Sequence, residues 1–277
     1  MLEAEFRLGT APAAPVAEPL ALTDALRDEC LARARVYRLL SGVFVEEPGP
    51  AFVAALREPQ SLADLTEAGL RFDGDFLDAA PDALNEALAC EYTALFIATG
   101  GFPPVESARL TGRYKQDPYF QVLAAYRRAG FALGRGRFEV FPDQLGVELM
   151  YLAELLERSA AAVDAGDAVL YRKLEREIKR FWSLHIGRWV RGYCQLIAQT
   201  AHHSFYREMA RFLHGFAEEE IAALELKRLE DLDQGRAVVP KSEIKLEFNP
   251  DEPVCGACPS GRAEGQAQVQ PLHDLRR

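Results

Sequence analysis

Apolar residues recur through the middle of the chain at the three- and four-residue spacing of helix faces. Val36, Tyr37, Leu40, Val43 and Phe44 share one face, because 3.6 residues per turn bring such positions together. Glu46-Glu47-Pro48-Gly49-Pro50 then breaks that helix. Leu84, Leu88, Tyr92, Leu95 and Phe96 repeat the pattern as far as Gly100-Gly101, with Pro103-Pro104 behind. Glycine permits positive φ and proline cannot continue a helix, so this stop is firm. A helix is predicted from Asp117-Pro118, with Asp117 as N-cap and Pro118 at the first helical position, ending in Gly130, Gly134 and Gly136. Phe141-Pro142-Asp143 opens the next, with Asp143 as N-cap and Leu145, Leu149, Leu152 and Leu156 as its apolar stripe. Further stripes run from Tyr171 to His185, from Trp189 to Ile197 and from Phe205 to Phe216. An acidic, charge-mixed helix carrying Ile221, Leu224 and Leu232 closes the body.

Strand-like alternation is missing from this body; Val238-Val239 and Ile244–Phe248 are short strand-like pieces in the tail. No fixed-period repeat points to a solenoid. The pattern therefore predicts an all-α fold: one globular multi-helix domain over 22–232, a flexible extension at 1–21 and a loosely ordered tail at 233–277.

Composition narrows the class. At 277 residues and 49% hydrophobic, the chain buries a sizeable core, which excludes a disordered protein, a collagen-like fibre and a small stapled scaffold. Lys and Arg total 32 against 42 Asp and Glu, a formal charge of −10. That balance argues against general affinity for nucleic acid or anionic membrane and suits a partner with a short basic segment. No apolar run approaches the roughly 18 residues of a membrane span. Residues 1–21 hold one basic residue (Arg7), three prolines and no apolar run of secretory length, so the expected location is the cytoplasm. The five scattered cysteines do not form a disulfide framework, which again favours a reducing compartment.

Catalytic signatures are absent: no phosphate loop, no metalloprotease His-Glu pair and no nucleophile elbow. The expectation is a protein that is not an enzyme. Cys255-Gly-Ala-Cys258 has the spacing of a thiolate pair that grips one zinc or iron. A closed structural site needs about four ligands, and His273 is the only nearby addition, so a metal- or iron–sulfur-handling role is the alternative reading. His185 and His202-His203 lack acidic neighbours at metal spacing and are read as packed or surface side chains. Arg172, Lys173, Arg176, Lys179 and Arg180 alternate with Glu175 and Glu177, the mark of a solvated helix face with i,i+4 pairs.

Two segments stand out. Glu91-Tyr92-Thr93-Ala94-Leu95-Phe96 runs into Gly100-Gly101-Phe102-Pro103-Pro104-Val105-Glu106-Ser107, an apolar helix end followed by a rigid loop. Phe141 to Glu148 places a carboxylate and an amide at a helix start. With His185-Ile-Gly-Arg-Trp189 and Phe205-Tyr206-Arg-Glu-Met-Ala210 following in order, residues 30–230 resemble the TorD/DmsD/NarJ family of redox-enzyme maturation chaperones. The resemblance implies an all-helical cytoplasmic chaperone without an active site of its own. Such a chaperone binds the N-terminal region, often a twin-arginine signal peptide, of the catalytic subunit of a dimethyl-sulfoxide-reductase-type molybdoenzyme. The resemblance implies no stably bound cofactor; molybdopterin guanine dinucleotide is inserted into the client. It also implies no nucleic-acid partner and a monomer or homodimer. It places the peptide groove on Tyr92, Leu95, Phe96, Phe102, Pro103, Pro104, Glu106, Ser107, Asp143, Gln144 and Glu148. Gln144 stands where the family often carries His. A twin-arginine peptide offers guanidinium groups ahead of an apolar stretch, so Glu106, Asp143 and Glu148 are candidates for the charge contacts. Tyr92, Leu95, Phe96 and Phe102 are candidates for the apolar ones.

Overall fold

The computed structural model describes residues 21–134, 140–226 and 228–233. Among these the chain forms eleven α-helices and no strand. The contacts divide the chain into a unit ending at Arg236 and a second, Ala237–Arg277. All of the second lies outside the described residues, together with Cys255, Cys258, His273 and the tail's strand-like pieces.

Helix α1 (Asp24–Phe44) starts where the Thr23 hydroxyl accepts the Leu26 N–H at 3.2 Å, and its stripe of Tyr37, Leu40, Val43 and Phe44 is fully buried. The breaker that follows does two things. Pro48 and Gly49 end the helical run, and Pro50 opens α2 (Pro50–Leu56). The helices α3 (Pro59–Glu67) and α5 (Pro81–Tyr92) also begin with proline, at the position where its missing N–H has no intrahelical partner to lose. The short helices α2 and α3, and the single turn α4 (Gly74–Leu77), offer too few turns for a periodic stripe to be visible in the sequence. Phe76 of α4 is nevertheless buried, 5.4 Å from the ring of Phe205.

The remaining helices are α6 (Glu106–Thr111), α7 (Asp117–Ala129), α8 (Leu145–Asp164), α9 (Ala168–Leu184), α10 (Val190–Thr200) and α11 (Ser204–Ala223). Three expectations are corrected. Gln116, not Asp117, is the N-cap residue of α7, with no side-chain cap bond. Gln144, not Asp143, caps α8: its Oε1 accepts the Val147 N–H at 3.1 Å. No acidic helix follows α11, because Glu225 and Arg228 take φ of 53° and 71° and turn the chain out of helical geometry. Residues 224–226 and 228–233 lie outside any helix.

Helix α8 is the axis of the domain and is buried on nearly all sides. Helix α1 packs along it, α9 returns beside it, and α10 and α11 pair against each other. Arg33, Tyr37, Trp182 and Glu220 cross-link α1, α9 and α11. Both Glu220 oxygens accept from Arg33, at 2.8 and 2.7 Å, and Oε2 also accepts from the Tyr37 hydroxyl at 2.7 Å. The Trp182 indole N–H donates to the same hydroxyl at 2.9 Å. The buried carboxylate is thus fully paired, which is what makes it tolerable in the interior.

The close approach of α8 to the end of α1 depends on Gly146: a Cβ there would collide with the Val45 backbone. Gly146→Ala is therefore expected to destabilise the domain by about 3 kcal/mol, the upper range for overpacking against immobile atoms. Gly215 sits exposed in α11 with open space where its Cβ would stand. Gly215→Ala is expected to stabilise by about 0.5–1 kcal/mol. Thermal melting of both variants measures the contrast; equal shifts would contradict the packing described.

Candidate functional site

At the N-terminal end of α8, the end of α1, the end of α5 and the Pro103–Val105 loop enclose a cleft of about 470 Å³. Its first wall comes from an irregularity. After Tyr92, α5 widens into one π-helical turn, Thr93–Ile97, closed by the Ala98 N–H on the Thr93 carbonyl at 2.8 Å. The wider turn buries Leu95 and Phe96 while leaving Ile97 68% exposed at the cleft. Single π turns of this kind are frequent at functional sites. Phe96 is held by edge contacts to Tyr92 at 4.9 Å and Tyr206 at 5.7 Å. Gly100 then takes φ +96°, a turn that a side chain would strain.

The loop that forms the opposite wall has every strategic backbone group paired. The Tyr193 hydroxyl donates to the Phe102 carbonyl at 2.8 Å. The Glu106 N–H donates to the Asp143 carbonyl and the Leu145 N–H to the Pro104 carbonyl, both at 2.8 Å, so Val105 and Gln144 meet as a single antiparallel bridge. The Tyr126 hydroxyl holds the Pro142 carbonyl at 2.8 Å. The Gln144 amide donates to the Phe44 carbonyl, which ties α1 to the same point. Buried loop backbone needs such partners, and here backbone N–H groups of α6 and α8, tyrosines of α7 and α10 and the Gln144 amide supply them.

Beneath the cleft lies a buried polar cluster. Asp143 Oδ2 accepts the Ser107 N–H at 2.9 Å and so caps α6 across the junction. Glu106 Oε2 faces His185 Nδ1 at 3.1 Å. Neither oxygen of Glu148 has a donor in hydrogen-bonding geometry, and the Trp189 indole N–H faces it without closing a bond. Burial, then the neighbouring Glu106 and Asp143 carboxyls, push the Glu148 carboxyl well above its ordinary range. Burial also raises Asp143, against the opposing effect of its bonds to Ser107. These influences favour the protonated form of Glu148 in the folded chain.

The structure divides the residues singled out in the sequence into two groups. Tyr92, Phe96, Pro103, Pro104 and Gln144 line the cleft. Glu106, Ser107, Asp143 and Glu148 lie under it, each with at most 1% of its surface exposed. Glu106, Asp143 and Glu148, expected from the sequence to meet a partner's cations, are interior groups in this structure. Leu95 belongs to the core, and Phe102 contributes its anchored carbonyl. Gln144 is a cap and a strut as well as part of the wall.

The carboxylates that do border the cleft are Glu46 and Glu47, both exposed. The Tyr92 hydroxyl senses them: burial and then these two charges raise its pKa. In the sequence they read as part of a helix breaker; their adjacency was the available signal. Ile97, Tyr114 and Phe141 complete the apolar lining, with Tyr114 stacked on Phe141 at 5.1 Å. His185 and His203 have structural partners. His185 does face a carboxylate, one distant in sequence, and the His203 side chain caps α11 by accepting the Phe205 N–H. Among the described residues, no group of three or more His, Cys, Asp and Glu side chains could hold a metal ion. No described helix is long and apolar enough to cross a membrane.

These features define an all-helical protein with a preformed, apolar, acid-bordered surface cleft. A family model described as nitrate reductase delta subunit matches residues 58–195, a span that includes the π turn, the Pro-Pro loop and all of α8. The chain belongs to this family of redox-enzyme maturation chaperones. Among curated proteins, none matches the sequence. A solved structure from Archaeoglobus fulgidus, of a protein provisionally assigned as a redox enzyme maturation protein, is 20% identical. The match covers 67% of this chain and 93% of that one, with a TM-score of 0.41.

The raised Glu148 carboxyl sets a pH dependence. Below the ordinary value of 4.5, folded and unfolded chains are both protonated there, and the group has no effect. Above it the unfolded chain releases the proton while the folded chain holds it, so this group lowers stability as pH rises. Glu148→Gln keeps a donor and removes the ionisation. Its melting temperature is expected to exceed the parent's by a margin that grows from pH 5 to neutrality, as read by thermal melting across that range. A margin constant with pH would contradict the assignment.

Proposed function

We propose that this chaperone uses the α5–α8 cleft to hold the N-terminal segment of the catalytic subunit of a dimethyl-sulfoxide-reductase-type molybdenum oxidoreductase. The observation that carries this reading is the pairing of an apolar cleft with two exposed carboxylates at its edge, neither of them in an ion pair among the described residues. A twin-arginine signal has the complementary order, guanidinium groups followed by an apolar stretch. Glu46 and Glu47 meet the cations, and Ile97, Phe96, Tyr92 and Phe141 receive the apolar side chains. Arg–carboxylate pairing fixes the register, and burial of apolar area supplies most of the affinity. Occupying the segment in the cytoplasm delays export or assembly until molybdopterin guanine dinucleotide has entered the client. The chaperone supplies no bond-making step of its own in this scheme.

Isothermal calorimetry with a synthetic client N-terminal segment tests the reading. Glu46→Gln/Glu47→Gln is expected to weaken binding about 5- to 30-fold, the sum of two modest surface pairs, and to flatten its salt dependence. Ile97→Ser is expected to weaken binding without moving the melting temperature, because Ile97 is already exposed. Asp143→Asn and Glu148→Gln are expected to bind as the parent does. Parental affinity in both cleft variants, or no binding by the parent, would contradict the proposal.

A further inference from the structure

The end of α7, the C-terminal half of α8 and one face of α9 enclose a second and larger cleft of about 760 Å³. Its floor is made of small and aliphatic groups: Ala129, Leu155, Ala162 and Leu174, with Ala161 and Ala165 beside them. Its edge carries Arg128, Arg158, Lys173 and Arg180 against Asp167 and Glu177. The two carboxylates are already engaged. Asp167 accepts the Leu170 N–H at 2.9 Å as the cap of α9. Glu177 accepts from Arg128 and from the Tyr151 hydroxyl, each at 3.3 Å. Arg158 bonds Glu154 at 2.9 Å and the Ala129 carbonyl at 2.7 Å.

Lys173 and Arg180 are different. The sequence pattern predicts i,i+4 pairs along α9, yet the structure forms none there. Among the described residues, neither Lys173 nor Arg180 has a carboxylate within 4.0 Å. They lie on one stripe of α9: Leu170, Lys173, Glu177, Arg180 and Leu184, spaced alternately by three and four. Leu170 and Leu184 at its ends are 40% and 44% exposed. The stripe is about 21 Å long at 1.5 Å per residue, the length of about four helical turns. In a chain of net charge −10, this is a positively charged border around an apolar floor.

We propose that the α7–α8–α9 cleft is a second docking surface, and that its occupant is an acidic amphipathic helix of another protein. Charge fixes the sign: free cations at the border require carboxylates on the flanks of the occupant. The walls fix its conformation. They are helices whose backbone groups are internally bonded, so they offer no edge to an extended strand. An occupant that satisfies its own backbone is a helix, with apolar residues at i, i+3, i+4 and i+7. The alanines of the floor allow it to approach closely. This surface is distinct from the acid-bordered cleft, opposite to it in sign, and does not depend on the client assignment above.

The test uses the full-length chain and a labelled helical peptide of about 18 residues, with Leu on one face and Glu on both flanks. A Lys-flanked counterpart is the control. Fluorescence anisotropy is expected to show binding of the Glu-flanked peptide alone, weakened by added salt. Lys173→Glu/Arg180→Glu is expected to reduce that affinity about tenfold or more with its circular dichroism and melting curve unchanged. Leu170→Ser, at an exposed position, is expected to weaken it independently of salt. An unlabelled client N-terminal segment is expected not to displace the peptide. No binding by the parent, equal binding by both peptides, or parental affinity in the charge-reversed variant would overturn the proposal. Displacement by the client segment would assign the peptide to the first cleft and overturn it as well. Sedimentation that shows the parent self-associating, with Lys173→Glu/Arg180→Glu monomeric, would make a second copy the occupant and overturn it too.

Discussion

The single backbone bridge between Val105 and Gln144 is the constraint on which the site depends. It joins the end of a proline-stiffened loop to the start of the central helix, and Gln144 extends it to the last carbonyl of α1. Segments about 60 and 40 residues apart in sequence are held at one point by this junction. Tyrosines from α7 and α10 then fix the flanking carbonyls. A loop wall with its backbone groups already satisfied needs little reordering to receive a ligand, and such preorganisation raises affinity more effectively than added area. The π turn performs the same service on the other wall. It leaves Ile97 exposed at the cleft while Leu95 and Phe96 stay buried.

Charge is distributed by depth. The acidic residues nearest the junction in sequence are interior, and burial among other carboxyls favours the protonated form of Glu148, so that group lowers stability as pH rises. Those exposed to a partner come from the break after α1. A buried group that lowers stability beneath an open cleft is the kind of local conflict expected where geometry at a site is favoured over stability. The two faces flanking α8 also differ in sign: Glu46 and Glu47 border one cleft, and Lys173 and Arg180 border the other. The net acidity of the chain therefore describes neither surface by itself.

Much of the fold was legible in the sequence because its long helices carry strong stripes. The Tyr37–Phe44 face, the Leu145–Leu156 stripe and the aromatic faces of α9 to α11 all lie where periodicity places them. The short helices α2, α3, α4 and α6 were not, since two turns give too few repeats and their starting prolines resemble breakers. Capping failed for a different reason. Asp143 stands one residue before the cap of α8 and its carboxylate is drawn to Ser107 of another element, a tertiary contact that local pattern does not contain. The motif residues of the cleft were legible as a set, but not their depth. Glu106 and Glu148 look like surface carboxylates in sequence, whereas partners distant in sequence, His185 and Trp189, surround them in the interior. Glu46 and Glu47 were hidden by their role as punctuation.

The central claim is that a client segment lies across the α5–α8 cleft, with its cations toward Glu46 and Glu47 and its apolar residues toward the π turn. Photo-crosslinking addresses it most directly. A client N-terminal peptide would carry benzoylphenylalanine at successive positions, and the adducts on the full chain would be mapped by mass spectrometry. The account predicts adducts on Val45–Glu47 from probes beside the arginines, and on Tyr92–Ile97, Tyr114 and Phe141 from probes in the apolar stretch. Adducts confined to α9, or spread over the surface without regard to probe position, would contradict it.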